Sequence, residues 1–573
     1  MFNINWSKSL ILFIVPLLLY VVMLRYVPLL EPDEARYSNV SHLMNSSCDY
    51  VTPQLMHVVF LDKPPLTYWA TAAAFRIFGE SSFSARLFGG LCTWACILLV
   101  YAMGLFIKDE KTGLFAAGIY STFIYVFLMG RMDIMDSPLT LFLSLAIWSG
   151  YRYFADNGYA KRWLYLFYIA CALAFLTKGL MGFVFPPVII ALWLLVSGRW
   201  RDSFKMISPA GILVFLGISL PWIVLAQRAN HDFLWYFFVR EQFLRYTTTV
   251  HERVHSDLMY VPVLIVGSLP WLAPLITAFM AKKQSDGASI RKHAYSFLMG
   301  WILFVFVFFS FSSAKMITYI FSAFVPLAVI FGGYIRIYDD IPAGKMPVGT
   351  CVRFTPIIMQ SLILMMVLLM PYYVEVLGKF VKIGPDLEIL KDPKWALFIV
   401  MPVVLQVLMV FMPELVRAVA GKGWFITMYC LAAIFLASLV WPASALLTPS
   451  KTAVPIRQAI KRYVPEGQTL YEFGIHLFGL DFAQDEELML PIVGQFAEMS
   501  LGVQKLPPDV RKKHFLTTTD FLMHCWQVYP VYGLTDKSQI VELRLWFPDL
   551  TVLWSNGHYF IVQLPKYIPY KPH

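Results

Sequence analysis

Apolar runs of about 18 residues or more recur from Ile11 to about Leu446 of this 573-residue chain, and no other feature constrains the fold as strongly. A run of that length crosses a bilayer as a helix, which pairs its backbone N–H and C=O groups within the segment. A membrane barrel would instead require shorter, alternating strands. The runs fall near 9–25, 84–107, 113–129, 135–155, 163–177, 179–197, 206–226, 258–280, 295–312, 317–335, 354–374, 396–412 and 424–447, about thirteen spans. Composition agrees: 58% of residues are hydrophobic and 14% charged, with a mean hydropathy of +0.63. After Leu447 the runs stop, and the remaining ~125 residues are enough for one small domain. The predicted fold class is therefore a polytopic α-helical membrane protein over 1–447, followed by a soluble α/β domain over 448–573.

The loops predict an orientation. With the amino terminus inside, every interior loop carries Lys or Arg, among them Lys108, Lys111, Arg152, Lys161, Arg199, Lys205, Lys282, Arg336, Arg353, Arg417 and Lys422. That matches the positive-inside bias, and an odd number of spans places the tail outside. The net charge of +10 is scattered over short loops, with no single basic stripe for nucleic acid to follow. Lys8 precedes the first apolar run without a small-residue cleavage site, so that run is expected to stay as a span. Cys48 and Cys525 fall outside on this topology; no spacing rule supports pairing them, and free thiols are the expectation. In the tail, Thr469–Phe473, Leu488–Val493 and Thr551–Leu564 alternate with polar and Pro-rich joints, a pattern of short strands between helices.

The exterior segments concentrate the chemistry. Segments 26–83 and 227–257 are expected to roof an active site. The first begins with Glu31-Pro32-Asp33-Glu34-Ala35-Arg36-Tyr37, and Pro32 puts these carboxylates on a turn before a new helix. An ordinary helix cap would use the same residues, with Arg36 pairing the acids for small benefit. Asp62-Lys63-Pro64-Pro65 follows, a cation held stiff by two prolines. Segment 227–257 sets Phe233, Trp235, Tyr236, Phe237 and Phe238 beside Glu241 and Arg245, aromatics suited to an interface. Short exterior turns add Arg131, Asp133 and Asp136, then Lys178, then Lys315 and Tyr319. Singly each has a bland reading: Arg131 pairs with Asp133, Lys178 and Lys315 snorkel, and Tyr37 and Tyr319 join an aromatic belt. Together they crowd one face, where ionisable groups mark a functional path. Asp33, Asp133 and Asp136 suit a base or a metal ligand, and Lys63, Lys178, Arg245 and Lys315 suit a phosphate.

In that order the motifs Glu31–Tyr37, Asp62-Lys63-Pro64-Pro65, Asp136-Ser-Pro-Leu, Leu176-Thr-Lys-Gly, Glu241…Arg245-Tyr246 and Lys315…Tyr319 resemble those of the lipid A aminoarabinose transferases. That family is part of the protein O-mannosyltransferase-like group of GT-C membrane glycosyltransferases. The resemblance implies an inverting transfer of 4-amino-4-deoxy-L-arabinose from undecaprenyl phosphate to lipid A, on the periplasmic face of the bacterial inner membrane. It also implies Asp33 as catalytic carboxylate, Asp136 as a supporting acid, and Lys63, Arg245 and Tyr319 on the donor phosphate, with Arg36, Tyr37, Lys178, Lys315 and Glu241 nearby. A divalent metal ion is left open, with Asp62 and Glu34 as candidate ligands. The sequence departs from the family pattern at Asp62, where Glu is common, and at Gln242, where His is. Tail residues Tyr471-Glu472-Phe473 are expected to lean over the site. Two alternatives remain: a sibling enzyme with a protein or other glycan acceptor, and a flippase for a lipid-linked sugar. A flippase should place its charges near the bilayer midplane.

Overall fold

The computed structural model of the chain describes residues 6–155, 159–244, 258–272, 275, 292–312, 315–340, 423–482, 490–494 and 500–566. The spans predicted near 354–374 and 396–412, and the candidate Arg245, lie outside the described residues. The chain divides into two compact units, one of 1–24, 86–227 and 232–442, the other of 25–85, 228–231 and 443–573. Hydropathy groups 25–85 with the membrane part, whereas the chain contacts group it with the tail.

In the first unit, five helices among the described residues of the whole chain are long and apolar enough to cross a membrane: Ser7–Tyr26, Ser82–Ile107, Pro209–Ala229, His293–Ser310 and Ile317–Asp340. Helices Asp136–Ala155 and Lys161–Lys178 pack as an antiparallel pair, and Leu180–Val196 packs on both. Two apolar runs are broken. Residues 113–129 form helices Glu110–Thr122 and Ile124–Met129, parted at Phe123, whose backbone is extended (ψ 129°). Within 258–280, helix Tyr260–Gly267 likewise stops at a turn. The polar groups released by the breaks answer one another: Ile124 N–H donates to Leu269 C=O at 2.9 Å, Trp271 Nε1 to Thr122 Oγ1 at 2.8 Å, and Tyr20 Oη to Ser121 C=O at 2.7 Å. Non-helical backbone at membrane depth persists only where protein satisfies it in this way.

Small residues set one close helix contact. A Cβ at Gly332 would lie 2.8 Å from the Ala116 Cβ, so helices Phe324–Asp340 and Glu110–Thr122 approach backbone to backbone. Gly332→Leu is expected to lower the stability of the detergent-solubilised protein by about 1–3 kcal/mol, measured as a fall in the unfolding midpoint. At the carboxy end of helix Phe324–Asp340 the charges are paired: Arg336 Nε to Asp109 Oδ2 at 3.0 Å, Lys111 Nζ to Asp339 Oδ2 at 2.9 Å, and Trp424 Nε1 to Asp339 Oδ1 at 2.8 Å. Asp109 also caps helix Glu110–Thr122 by accepting the Thr112 N–H at 2.7 Å. Among the described aromatics of 227–257, Phe233, Tyr236 and Phe237 are buried, and Phe233 and Phe237 pack on Trp222, while Trp235 is 59% exposed. Tertiary packing therefore claims residues that composition assigned to an interface.

In the second unit, helices Asp33–Ser47 and Leu66–Phe78 pack together across the small hairpin of β1 (Gln54–Leu55) and β2 (Val58–Val59). The tail forms a six-stranded sheet of β3 (Leu470–Phe473), β4 (Ile492–Val493), β5 (Phe515–Leu516), β6 (Val531–Asp536), β7 (Thr551–Ser555) and β8 (Tyr559–Leu564), in the order β5-β4-β3-β6-β8-β7. β5, β4, β3 and β6 run parallel, while β8 is antiparallel to both β6 and β7. Alternation along the strands builds two cores. Leu470, Tyr532 and Leu534 pack with helix Val454–Tyr463 on one face. Tyr471, Phe473 and Val531 pack with helices Thr518–Gln527 and Gln539–Trp546 on the other. Cys48 is exposed and Cys525 buried, both as free thiols, and burial raises the Cys525 thiol to about 12.

The second core contains a pH-sensitive pair. Tyr471 Oη and His524 Nε2 are hydrogen-bonded at 2.8 Å; burial raises the phenol to about 12 and lowers the His524 imidazole from its ordinary value. His514 is lowered too, by burial first and then by Lys513 and His57. A histidine with a depressed folded pKa binds its proton more readily in the unfolded chain. The tail's stability is thus complete above the unfolded value of about 6.5 and declines as pH falls through it. The protection factors of amides over Val531–Asp536 in the full chain, taken against intrinsic exchange at each pH, are expected to fall on acidification, and replacing both histidines by Gln to flatten that dependence.

Candidate active site

Each unit carries one set of the predicted residues. In the second unit a helix does begin directly after Pro32, but Asp33 and Glu34 lie within the first turn of helix Asp33–Ser47, and only Glu31 of the three carboxylates stands on the turn before it. The three carboxylates then part ways. Glu31 Oε1 accepts the Gly479 N–H at 2.6 Å, and fully buried Glu34 accepts the Leu30 N–H at 3.0 Å. Asp33 remains 30% exposed and faces Arg36 Nη1 at 3.8 Å. That separation lies beyond hydrogen-bonding range, so Arg36 contributes positive potential while the Asp33 oxygens stay available. Arg36 itself is buried, its guanidinium 5.0 Å from the centre of the Phe478 ring. The Tyr37 ring lies 6.1 Å from that of Tyr68. Lys63 is buried behind Pro64 and Pro65, which open helix Leu66–Phe78, and its Nζ donates to the Asp62 carbonyl at 3.1 Å.

In the first unit, Asp136 begins helix Asp136–Ala155 and Lys178 ends helix Lys161–Lys178. The antiparallel pairing of these helices brings the two together, Nζ to Oδ1 at 2.6 Å, with side chains 10% and 11% exposed. Lys178 Nζ also lies 5.0 Å from the centre of the Tyr319 ring, which packs against Phe309. The segment carrying buried Lys315 and Tyr319 is held by two hydroxyls: Tyr260 Oη donates to the Met316 carbonyl at 3.1 Å, and Tyr125 Oη to the Ile317 carbonyl at 2.8 Å. Asp133 is buried, and Arg131 donates to the Met23 carbonyl at 2.8 Å with its guanidinium over Phe127. Lys178 is therefore not a snorkelling helix end; it is one partner of a buried ion pair. Glu241 is buried within the π-helical turn Trp235–Leu244.

Among the described residues no three His, Cys, Asp or Glu side chains come together as metal ligands. Glu34, one of the two candidate ligands, accepts the Leu30 amide N–H through Oε2.

The tail approaches the acidic turn differently from expectation. Tyr471 and Phe473 lie in the sheet core, Phe473 against Phe521, and Glu472 is fully buried and paired with His476. Strand β3 has both faces covered, so none of the three leans over the turn. The tail contacts come from Phe478 and Gly479 on Arg36 and Glu31, and from the Lys451 carbonyl, which accepts the Glu31 N–H at 2.8 Å. These residues, like Tyr125 and Tyr260, lie in stretches with no charge cluster or motif to single them out.

A sequence profile of the family described as dolichyl-phosphate-mannose-protein mannosyltransferase matches residues 62–224. The chain is 29% identical over 336 residues to an undecaprenyl phosphate-alpha-4-amino-4-deoxy-L-arabinose arabinosyl transferase of Edwardsiella ictaluri, covering 58% of this chain and 59% of that relative. A protein of the same description from an Enterobacter species is 30% identical over 326 residues, covering 56% and 58%. The chain thus matches less than two thirds of the length of these relatives. The structure superposes on crystalline ArnT of Cupriavidus metallidurans, bound to undecaprenyl phosphate, with a TM-score of 0.79 at 20% identity, covering 98% of both chains. At that identity the likeness establishes the fold, a helical membrane architecture with a carboxy-terminal α/β region.

Proposed function

We propose that the chain, which shares the fold of ArnT, is an inverting membrane glycosyltransferase of the GT-C class. Its donor is a sugar on undecaprenyl phosphate, with 4-amino-4-deoxy-L-arabinose the first choice, and its acceptor is lipid A at the periplasmic face of the inner membrane. The sequence relatives support the donor and sugar by their names. The cation-bearing interior loops support the orientation. The membrane-spanning part, 1–447, would hold the polyprenyl chain, and 448–573 would lie in the periplasm.

The observation that carries the assignment of roles is the division of labour among the clustered carboxylates: Glu31 and Glu34 are spent on backbone amides, and Asp33 is not. In the reaction the bond between the sugar anomeric carbon and the phosphate oxygen breaks, and polyprenyl phosphate leaves with the bonding electrons. An acceptor oxygen attacks the opposite face of that carbon. Where the acceptor is a hydroxyl, Asp33 takes its proton as general base; where it is an ionised lipid phosphate, Asp33 orients it. Lys63, Arg245 and Tyr319 would receive the donor phosphate, where fixed cations disperse the developing charge. Asp136 would hold Lys178 in place beside Tyr319.

The test supplies purified protein with undecaprenyl phosphate sugars and lipid A, and follows free undecaprenyl phosphate and the acceptor mass. Paired gains in both are expected. Sugar appearing instead on a protein hydroxyl would favour a second acceptor class, in line with the profile match over 62–224. Movement of intact lipid-linked sugar across proteoliposomes without transfer would overturn the reading.

A further inference from the structure

We propose that Phe478 is a positioning residue for the transfer reaction, holding Arg36 at its working distance from Asp33; the inference rests on the transferase reading above. Asp33 opens helix Asp33–Ser47, and the turn that leads into it at Glu31 is tied down from the tail. Glu31 N–H donates to the Lys451 carbonyl at 2.8 Å, Gly479 N–H donates to Glu31 Oε1 at 2.6 Å, and Arg457 Nη2 donates to the Gly479 carbonyl at 3.1 Å. A Cβ at position 479 would sit 2.7 Å from Glu31 Oε1 and 3.1 Å from the Ala453 Cβ, so a larger residue would push the Glu31 carboxylate from its place. The clamp fixes where Phe478 meets the turn.

Phe478 then acts on a charge. Its ring centre lies 5.0 Å from the Arg36 guanidinium, and the His476 ring braces it edge-on at 4.5 Å. His476 is in turn held by the fully buried Glu472. A guanidinium over an aromatic face is attracted by the ring quadrupole. That attraction competes with a close Arg36–Asp33 pair, which would occupy the carboxylate in a charge-assisted hydrogen bond. At 3.8 Å from Asp33, Arg36 adds positive potential beside the carboxylate without consuming its lone pairs. Losing the ring removes one of the contacts that hold Arg36 at this distance, and either closure onto Asp33 or a swing away spoils the base.

Phe478→Leu and Phe478→Tyr test this in the full-length protein. The Leu variant is expected to lose about tenfold in kcat, equivalent to about 1.4 kcal/mol, with the donor KM within about twofold of wild type. The Tyr variant keeps an aromatic face and is expected to restore kcat. Modification of Arg36 by phenylglyoxal, read by peptide mass spectrometry, is expected to speed up in the Leu variant alone. Wild-type kcat and labelling in Phe478→Leu would overturn the proposal. So would equal loss in both variants accompanied by a lower unfolding midpoint, which would mark a purely structural role. A wild-type protein that turns over no donor would instead sink the transferase reading, and the positioning role with it, whatever the labelling shows.

Discussion

Asp33→Asn is expected to leave a folded, membrane-inserted protein whose transfer rate is lower by about 10²–10⁴, the range for loss of a positioned general base. The substitution is nearly isosteric, and Asp33 is 30% exposed with its one ion-pair partner 3.8 Å away, so little native energy is lost. With the donor phosphate on Lys63 as proposed, the donor KM should change by no more than about threefold, the pattern of an interaction made in the transition state. Glu34→Gln is the informative contrast. Its carboxylate is fully buried against the Leu30 amide, so that variant should lose stability before it loses chemistry. Turnover by Asp33→Asn at the wild-type rate, in protein of normal folding, would remove Asp33 from the mechanism.

Breaking the Asp136–Lys178 pair is expected to have the largest effect on stability. Both side chains are about nine-tenths buried and 2.6 Å apart. Removing either charge strands the other in a poorly solvated site, a loss of about 3–5 kcal/mol, whereas removing both is far milder. Lys178→Met and Asp136→Asn should therefore each lower the unfolding midpoint sharply, and the double variant should recover most of that fall. Transfer should not recover with it, because the Lys178 cation over the Tyr319 ring is still missing. A double variant that regained both stability and activity would make the pair structural alone. If instead the single variants unfolded at the wild-type midpoint, the buried pair would not contribute as the geometry implies.

Helix positions were well predicted where burial in lipid requires a long uninterrupted run, as for Ser82–Ile107 and Pro209–Ala229. Prediction failed at Phe123 and after Gly267, because each run stays apolar through a break that is stabilised by a partner far along the chain. The tail's α/β character followed from alternating apolar segments, but its contact with the acidic turn did not. Strand residues Tyr471-Glu472-Phe473 looked prominent and proved to be core, whereas Phe478 and Gly479 carried no signal.

The sequence alone determined that the chain is a polytopic membrane protein with an α/β tail, since hydrophobic length and alternation are local properties summed along a segment. It also identified the residue types able to bind a phosphate or take a proton, since those are properties of side chains. Only the tertiary structure decided which of them remain available. Glu31 is engaged by an amide 448 residues away, Lys178 is paired with an aspartate 42 residues away, and Asp33 is left open. Hydrogen-bond and ion-pair partners are chosen by proximity in space, over distances at which spacing along the chain carries no information.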